Sequence, residues 1–481
     1  MDGPPVLEAG QALDGAGAFA RWRWNAPRLC ASTDRFGIQP LFYAADPYAI
    51  RISPSVEELL RTGAPRDLDE SALAVFLRVG FFVGDDTPFV GIRAAPPGGS
   101  LEWNDGHVHV RSGWTRPVAS DASRDDAIDR FAAMFADSIE RRLNATTGPV
   151  AVPLSGGHDS RHILFALCEA GCRPDRAVTV EPYPPSQADD VPLARALAER
   201  LGLPHVVVPR RGDRVAAESD KNALTSFCAD EHVQFLPLRG HFERAPATLF
   251  DGLGGDVLSQ SGRLEPRLNA LFADHRVRDV AETILGDANV IEPALNALLT
   301  ADARRRFSRE RAVSRVAEEA AKYADDPNPI ASFFAASRMR REIALAPCAM
   351  LDVATAVWLP FLDAPLASFL LGLPFGLVRD RRLHTDLLAR RYPRFNGVPL
   401  DGKRQGRDSA LQIRRDAVAL MSRLARSRSR LVAAVPVAAR AARAAASGRS
   451  AHLWFLPKII HLLDVEQAAG TPLASLNNAY A

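Results

Sequence analysis

The sequence predicts an α/β protein, with an N-terminal β layer, then a parallel-sheet, Rossmann-like domain with a mostly helical C-terminal part. Three observations predict it. At 481 residues the chain is too long for one compact core, so two domains are the default. The hydrophobic period changes from strand-like to helical near Asp125. Between Val150 and Pro209 apolar strands alternate with amphipathic helices, the order of a parallel sheet with right-handed crossovers.

Residues 13–110 read as short strands and turns. Leu29–Ala44 is two apolar runs around a polar turn at Asp34–Gln39, a hairpin-like pattern. Pro96–Gly99 and the SLEWNDGHVHV that follows predict another hairpin, turning at Asn104-Asp105-Gly106. Arg116–Asp126 is polar and breaks the pattern, which places a boundary there. The expected units are 1–115, 125–405 and 406–481. In the second unit Ile128, Phe131, Ala132, Phe135 and Ile139 share a helical face. A strand at Val150–Leu154, a glycine turn and a helix ending near Gly171 follow. Then come a strand at Arg176–Pro182, a helix at Asp190–Gly202 and a strand at Pro204–Pro209. Residues 265–400 read as mainly helical. From Lys403 to Arg449 Arg and Ala dominate, and the only acids are Asp408 and Asp416. Such a run either meets an anionic partner or is a solvated helical surface, and the second is the plainer reading.

An apolar fraction of 47% with 24% charged residues fits a soluble globular chain, and a net charge of +2 gives no reason to expect nucleic acid. The five cysteines, Cys30, Cys168, Cys172, Cys228 and Cys348, are scattered and odd in number, as expected of buried thiols in a reducing cytoplasm. MDGPPVLEAG lacks the basic start and apolar core of a signal peptide. Ile343–Val378 carries only Asp352 and Asp363 as charges, but Pro347, Pro360, Pro365 and Pro374 cut it into pieces too short to span a membrane.

The chemistry concentrates in Leu154-Ser155-Gly156-Gly157-His158-Asp159-Ser160, between an apolar strand and a helix. Gly156 and Gly157 let the backbone turn sharply and bring N–H groups to an anion. The helix after them adds its positive end, and Ser155 and Ser160 add hydroxyls. Asp159 can hold Mg²⁺ against phosphates. No Gly-Lys-Ser/Thr follows, so this is not a Walker loop. The competing reading is an ordinary glycine turn.

Ser155–Ser160 resembles the SGGxDS loop of the ATP pyrophosphatase superfamily, which splits ATP into AMP and pyrophosphate to activate a carboxyl or carbonyl group. Three further stretches, in order, are similar to the asparagine-synthetase branch: DRFGIQPLFYA (Asp34–Ala44), Asp251-Gly252-Leu253-Gly254-Gly255-Asp256, and Leu359-Pro360-Phe361-Leu362-Asp363. The resemblance implies an N-terminal nucleophile (Ntn)-type β layer, here partial, before an ATP-binding domain. It implies ATP and Mg²⁺, with Asp159 and Asp256 as metal ligands. Leu154, Ser155, Gly156, Gly157, Asp159, Ser160, Thr179, Gly254 and Gly255 become nucleotide-binding candidates. Lys403 is the nearest match to the family's catalytic lysine.

Departures from the family pattern shape the expected function. Met1 is followed by Asp2 instead of the N-terminal cysteine that glutamine hydrolysis needs, so a degenerate, inactive glutaminase is expected, unless the start lies further upstream. Leu253 stands where the family has Glu or Tyr, and Ala356 and Trp358 replace a Glu and an Arg. The expected enzyme is an ATP-dependent, AMP-forming amidoligase, specialised as in β-lactam synthetases or peptide cyclases. It would join a small-molecule or peptide carboxylate to an amine, with a homodimer allowed. The alternatives are an ammonia-using asparagine synthetase and a non-catalytic nucleotide-binding protein.

Overall fold

A computed structural model of the chain describes residues 6–13, 16–183, 189–259, 265–380, 382–395, 397–398, 409–449 and 453–470. β1 (Val6–Leu13), β2 (Ala16–Asn25) and β3 (Arg28–Thr33) form an antiparallel meander. Next in chain order are β4 (Phe42–Ala45), β5 (Ile50–Ser53), β6 (Arg93–Ala94), β7 (Ser100–Asn104) and β8 (His107–Arg111). They make two sheets, β1-β2-β3-β7-β8 and β5-β4-β6. The β7–β8 hairpin is the one expected. Asp105 and Gly106 both have positive φ, +48° and +81°, as a two-residue type I′ turn demands.

The hairpin expected over Leu29–Ala44 does not form, because β3 and β4 belong to different sheets. Asp34 is the reason. Its buried carboxylate accepts backbone N–H groups from Phe19 (3.2 Å), Phe36 (3.0 Å), Ile38 (2.9 Å) and Gln39 (3.0 Å). That cap turns the chain out of the first sheet. Despite four donors, burial raises the Asp34 pKa to about 6. The stretch also holds two helices that a strands-and-turns reading omits, α1 (Val56–Arg61) and α2 (Glu70–Val79). Ser55 caps the first through Glu58 N–H and Asp69 the second through Ala72 N–H, and Gly80 ends α2 in the left-handed region.

Beyond an extended segment, α3 (Arg124–Asn144) buries the predicted face of Ile128, Phe131, Ala132, Phe135 and Ile139. The predicted alternation follows: β9 (Val150–Pro153), α4 (His158–Glu169), β10 (Arg176–Val180), α5 (Asp190–Arg200) and β11 (His205–Val208). After α6 (Arg214–Leu224) and α7 (Leu236–Arg244), β12 (Thr248–Phe250) leads into the short α8 (Gly255–Ser259). β13 (Ala356–Trp358) completes a parallel sheet of order β11-β10-β9-β12-β13. The chain winds outward from β9 to β11, then returns to the other side of β9. The switch point therefore lies between β9 and β12, where a crevice opens at the strands' carboxyl ends.

The remaining described residues are almost all helical. The wide, π-helical Ala335–Ile343 sends Arg340 to Gly84 O (3.0 Å) and Asp85 (2.9 Å), and Arg341 to Asp86 O (2.6 Å), tying the sheet body to the N-terminal region. The Arg/Ala-rich stretch is more than a solvated surface. Its helix Ala410–Arg426 buries Ile413, Ala417, Leu420 and Leu424. The helix Leu456–Gly470 is held by Lys458 to Asp230 (2.9 Å) and by His461 to Phe227 O (2.8 Å). No described helix is long and apolar enough to cross a membrane. Of the five thiols expected to be buried, Cys228 and Cys348 are; Cys168 and Cys172 are half-buried, and Cys30 is exposed because its strand position faces outward.

Candidate active site

The switch point brings two loops together. The first leaves β9 at Leu154 and enters α4 at His158. Inside it, Ser155 N–H donates to Ser160 Oγ (3.1 Å) and Gly157 N–H to Ser155 Oγ (3.2 Å). Gly156 N–H donates to Asp190 Oδ1 (2.8 Å) at the start of α5. The N–H groups expected to face an anion thus already hold oxygen acceptors, one of them a carboxylate.

The second loop leaves β12 at Asp251. Asp251 N–H donates to Trp358 O (2.9 Å), and its Oδ1 accepts Leu253 N–H (2.8 Å). Gly254 has φ +94°, and a side chain at Gly255 would strike the Asp159 carboxylate, with its Cβ at 2.4 Å. This close approach lets Asp256 N–H donate to Asp159 Oδ2 at 2.9 Å. Asp159 keeps 26% of its side chain exposed to the crevice. Burial first, and then the Asp256 and Asp251 charges, push its pKa well above the usual carboxylate range. Burial raises Asp251 to about 6.

A cleft of about 690 Å³ runs from these loops. Leu154, Ser155, Asp159, Ser160, Thr179, Gly254 and Asp256 all line it, and Gly156, Gly157 and Gly255 sit in the same two loops. Thr179 Oγ donates to Leu154 O (2.7 Å) and lies 2.9 Å from His205 Nε2, which holds the β9 and β10 ends in register. Lys403 lies outside the described residues.

Leu253 lines the cleft, but Trp358 does not. Its Nε1 donates to Thr146 Oγ1 (2.9 Å), and Ala356 borders a separate, smaller hollow beside Gln39 and Cys348. Ala356 and Trp358, which replace a Glu and an Arg of the family pattern, both sit on β13, an edge strand outside this cleft that the sequence does not announce. The Leu359–Asp363 turn is likewise a clamp. Asp363 meets Arg141 (2.6 Å) and Arg142 (3.4 Å), and Pro360 O accepts Ser138 Oγ–H (2.8 Å).

Sequence reasoning missed much of the opposite wall. Asp230, Glu231, His232 and Phe235 line it, with Ile343 and Pro457 from far along the chain. His232 has φ +77°, and neither ring nitrogen has a hydrogen-bond partner among the described residues. Burial lowers its pKa to about 4. Glu342 accepts from Glu231 N–H (3.3 Å) and Arg338 (3.2 Å), and burial, reinforced by Glu231, raises it to about 8. No local motif marks these residues.

Two carboxylates beside a strand–glycine–helix loop at the switch point of a parallel sheet define an α/β protein with its cleft at the carboxyl ends of the strands. Residues 7–114 match the glutamine amidotransferase domain family, and residues 130–383 match the asparagine synthase family. The chain belongs to the asparagine synthase family and carries an N-terminal glutamine amidotransferase domain. It is also similar to Amidase chry2 of Gibberella zeae, 26% identical over 210 residues, which are 40% of this chain and 31% of that protein. The match therefore spans less than a third of that relative's length.

Proposed function

We propose that the chain is an ATP-dependent amidoligase that converts ATP to AMP and pyrophosphate, activating a carboxylate for attack by an amine. The observation that carries this reading is the contact between the Ser155–Ser160 and Asp251–Asp256 loops at the switch point. The phosphates would lie over the α4 N-terminus, whose positive dipole end favours negative charge. Asp159 and Asp256 would hold Mg²⁺: their hard oxygens and mutual repulsion suit a divalent cation, which would bridge and neutralise the phosphates.

Leu253 cannot take the proton that the attacking amine must lose. His232 is the better-placed acceptor, neutral and on the cleft wall, with the Glu231 carboxylate close enough to stabilise the imidazolium formed. The wall also carries Val178, Val233, Phe235, Leu253 and Ile343, so a partly apolar acyl or amine substrate is favoured over aspartate. The division at 1–115, 125–405 and 406–481 is proposed as part of this reading, in a cytoplasmic enzyme. The amidotransferase domain is proposed to be inactive. Cys30, the cysteine found among residues 1–115, sits within β3 and has no free amine to act as base.

An ATP–pyrophosphate exchange screen over amino acids, short peptides and aspartate tests the proposal. Exchange driven by an apolar carboxylate supports it. Robust asparagine formation from ATP, aspartate and ammonia identifies an ordinary synthetase instead. No exchange with any carboxylate, alongside measurable ATP binding, identifies a nucleotide-binding protein without the chemistry.

A further inference from the structure

Directly behind Asp159 lie two fully buried histidines that the proposed chemistry does not use, His162 on α4 and His384 on the helix Leu383–Arg391. His162 Nδ1 and His384 Nε2 are 2.9 Å apart. His384 Nδ1 faces Ser259 Oγ at 3.2 Å and Asp159 Oδ1 at 3.5 Å. Aromatic rings enclose the pair: Phe135 stacks on His162 at 3.9 Å between centroids, and Phe131 and Phe361 lie at 5.4 and 5.7 Å from His384.

The hydrogen-bond partners fix where each proton sits. Ser259 has one hydroxyl proton, and its oxygen lies 2.6 Å from Gly255 O, an acceptor only. That proton is therefore committed, and Ser259 Oγ can only accept from His384. So His384 Nδ1 carries hydrogen. At the other end, His162 Nε2 is buried with no partner among the described residues. A bare nitrogen there costs less than a buried, unpaired N–H. The His162 proton is then on Nδ1, donated to His384 Nε2, which must be bare. Both ends of the chain give the same answer. One N–H of His384 points between Ser259 and Asp159 Oδ1, while Asp159 Oδ2 is held by Asp256 N–H.

We propose that His162 and His384 form a buried positioning relay that fixes the tautomer of His384 and so orients the Asp159 carboxylate for a divalent cation. The inference rests on the reading of Asp159 as a cation ligand. Asp159 Oδ2 is held by Asp256 N–H and Oδ1 lies 3.5 Å from His384 Nδ1, while the side chain lines the cleft. Outer contacts of this kind commonly set metal affinity. Ser259 belongs to α8, so the relay also joins the second loop to α4 and to the helix Leu383–Arg391.

Mn²⁺ binding to the full chain, read as loss of the free-ion electron paramagnetic resonance signal with a non-hydrolysable ATP analogue present, tests this without turnover. In His384→Phe, which keeps the ring and loses the donor, the dissociation constant rises about tenfold or more. His384→Asn, whose amide N–H falls near the Nδ1 position, restores binding to within a few-fold of the parent. If His384→Phe binds like the parent while Asp159→Asn does not, the relay is overturned and Asp159 remains a ligand. If Asp159→Asn also binds like the parent, the ligand reading fails and the relay with it. Should His384→Phe not fold, the parent itself decides. Nitrogen-15 shifts of its ring nitrogens must show hydrogen on Nδ1 of both histidines, and hydrogen on His384 Nε2 overturns the relay.

Discussion

The backbone N–H of Asp256 donates to Oδ2 of Asp159 at 2.9 Å, across 97 positions of sequence. The bond draws two acidic loops together although their charges repel, and it does so through a backbone dipole. The arrangement stores electrostatic cost where a cation would release it.

Asp159→Asn and Asp256→Ala are each expected to abolish Mg²⁺-dependent pyrophosphate release without lowering the melting temperature. For Asp159 the sign follows from its raised pKa. A carboxyl that binds its proton more tightly when folded contributes stability below its unfolded pKa, and loses it as pH rises through the folded value. At neutral pH the charge is a burden, so the amide folds at least as well. Melting curves at pH 5 and pH 8 beside pyrophosphate assays check both halves. Parent-level release from either variant removes that residue from the metal site.

Glu342 gives a pH signature of its own. Its pKa of about 8 against an ordinary 4.5 means that its contribution is complete below pH 4.5 and fades as pH rises through 8. Glu342→Gln should therefore flatten the fall in stability across that window, by a few kcal/mol at most. Urea midpoints from pH 5 to pH 9 measure it. Parallel curves for parent and variant would show that Arg338 compensates the charge fully.

Asp34→Asn is expected to destabilise the N-terminal region by about 2 kcal/mol, because the amide turns an N–H₂ group toward backbone donors and leaves some unpaired. Urea denaturation followed by tryptophan fluorescence reports it, through Trp22, Trp24 and Trp103 nearby. An unchanged midpoint would mean that the turn holds without its carboxylate.

Leu253 and Trp358 should separate sharply. Trp358→Phe loses one hydrogen bond to Thr146, costing about 1 kcal/mol, and leaves the carboxylate preference in pyrophosphate exchange unchanged. Leu253→Glu places a charge on the cleft wall and shifts that preference toward smaller, polar substrates. A selectivity change in Trp358→Phe and none in Leu253→Glu would reverse the assignment of the pocket.

The amino-acid sequence by itself determined the loop and the sheet around it. Ser155–Ser160 is one contiguous run whose glycines and hydroxyls act locally. The alternation from Val150 to Val208 follows from periodicity, which local side-chain order expresses directly. The β7–β8 turn was equally legible, since Asp105-Gly106 supplies both positive φ angles. The caps Ser55 and Asp69 were there to be read for α1 and α2, but short helices among strands carry little periodicity.

Only the tertiary structure decided what the site is made of beyond its loops. It separated β3 from β4, because one buried aspartate collected four N–H groups. It made Trp358 an edge-strand residue hydrogen-bonded to Thr146, because three residues paired with β12. It brought Glu231, His232 and Pro457 to one wall with Glu342 buried beside His232, and set His384 behind Asp159 from 225 positions away (384 − 159). The physical reason is common to all of these. Hydrogen bonds and buried charges are satisfied by whatever lies near in space, and chain separation leaves no trace of that in local pattern.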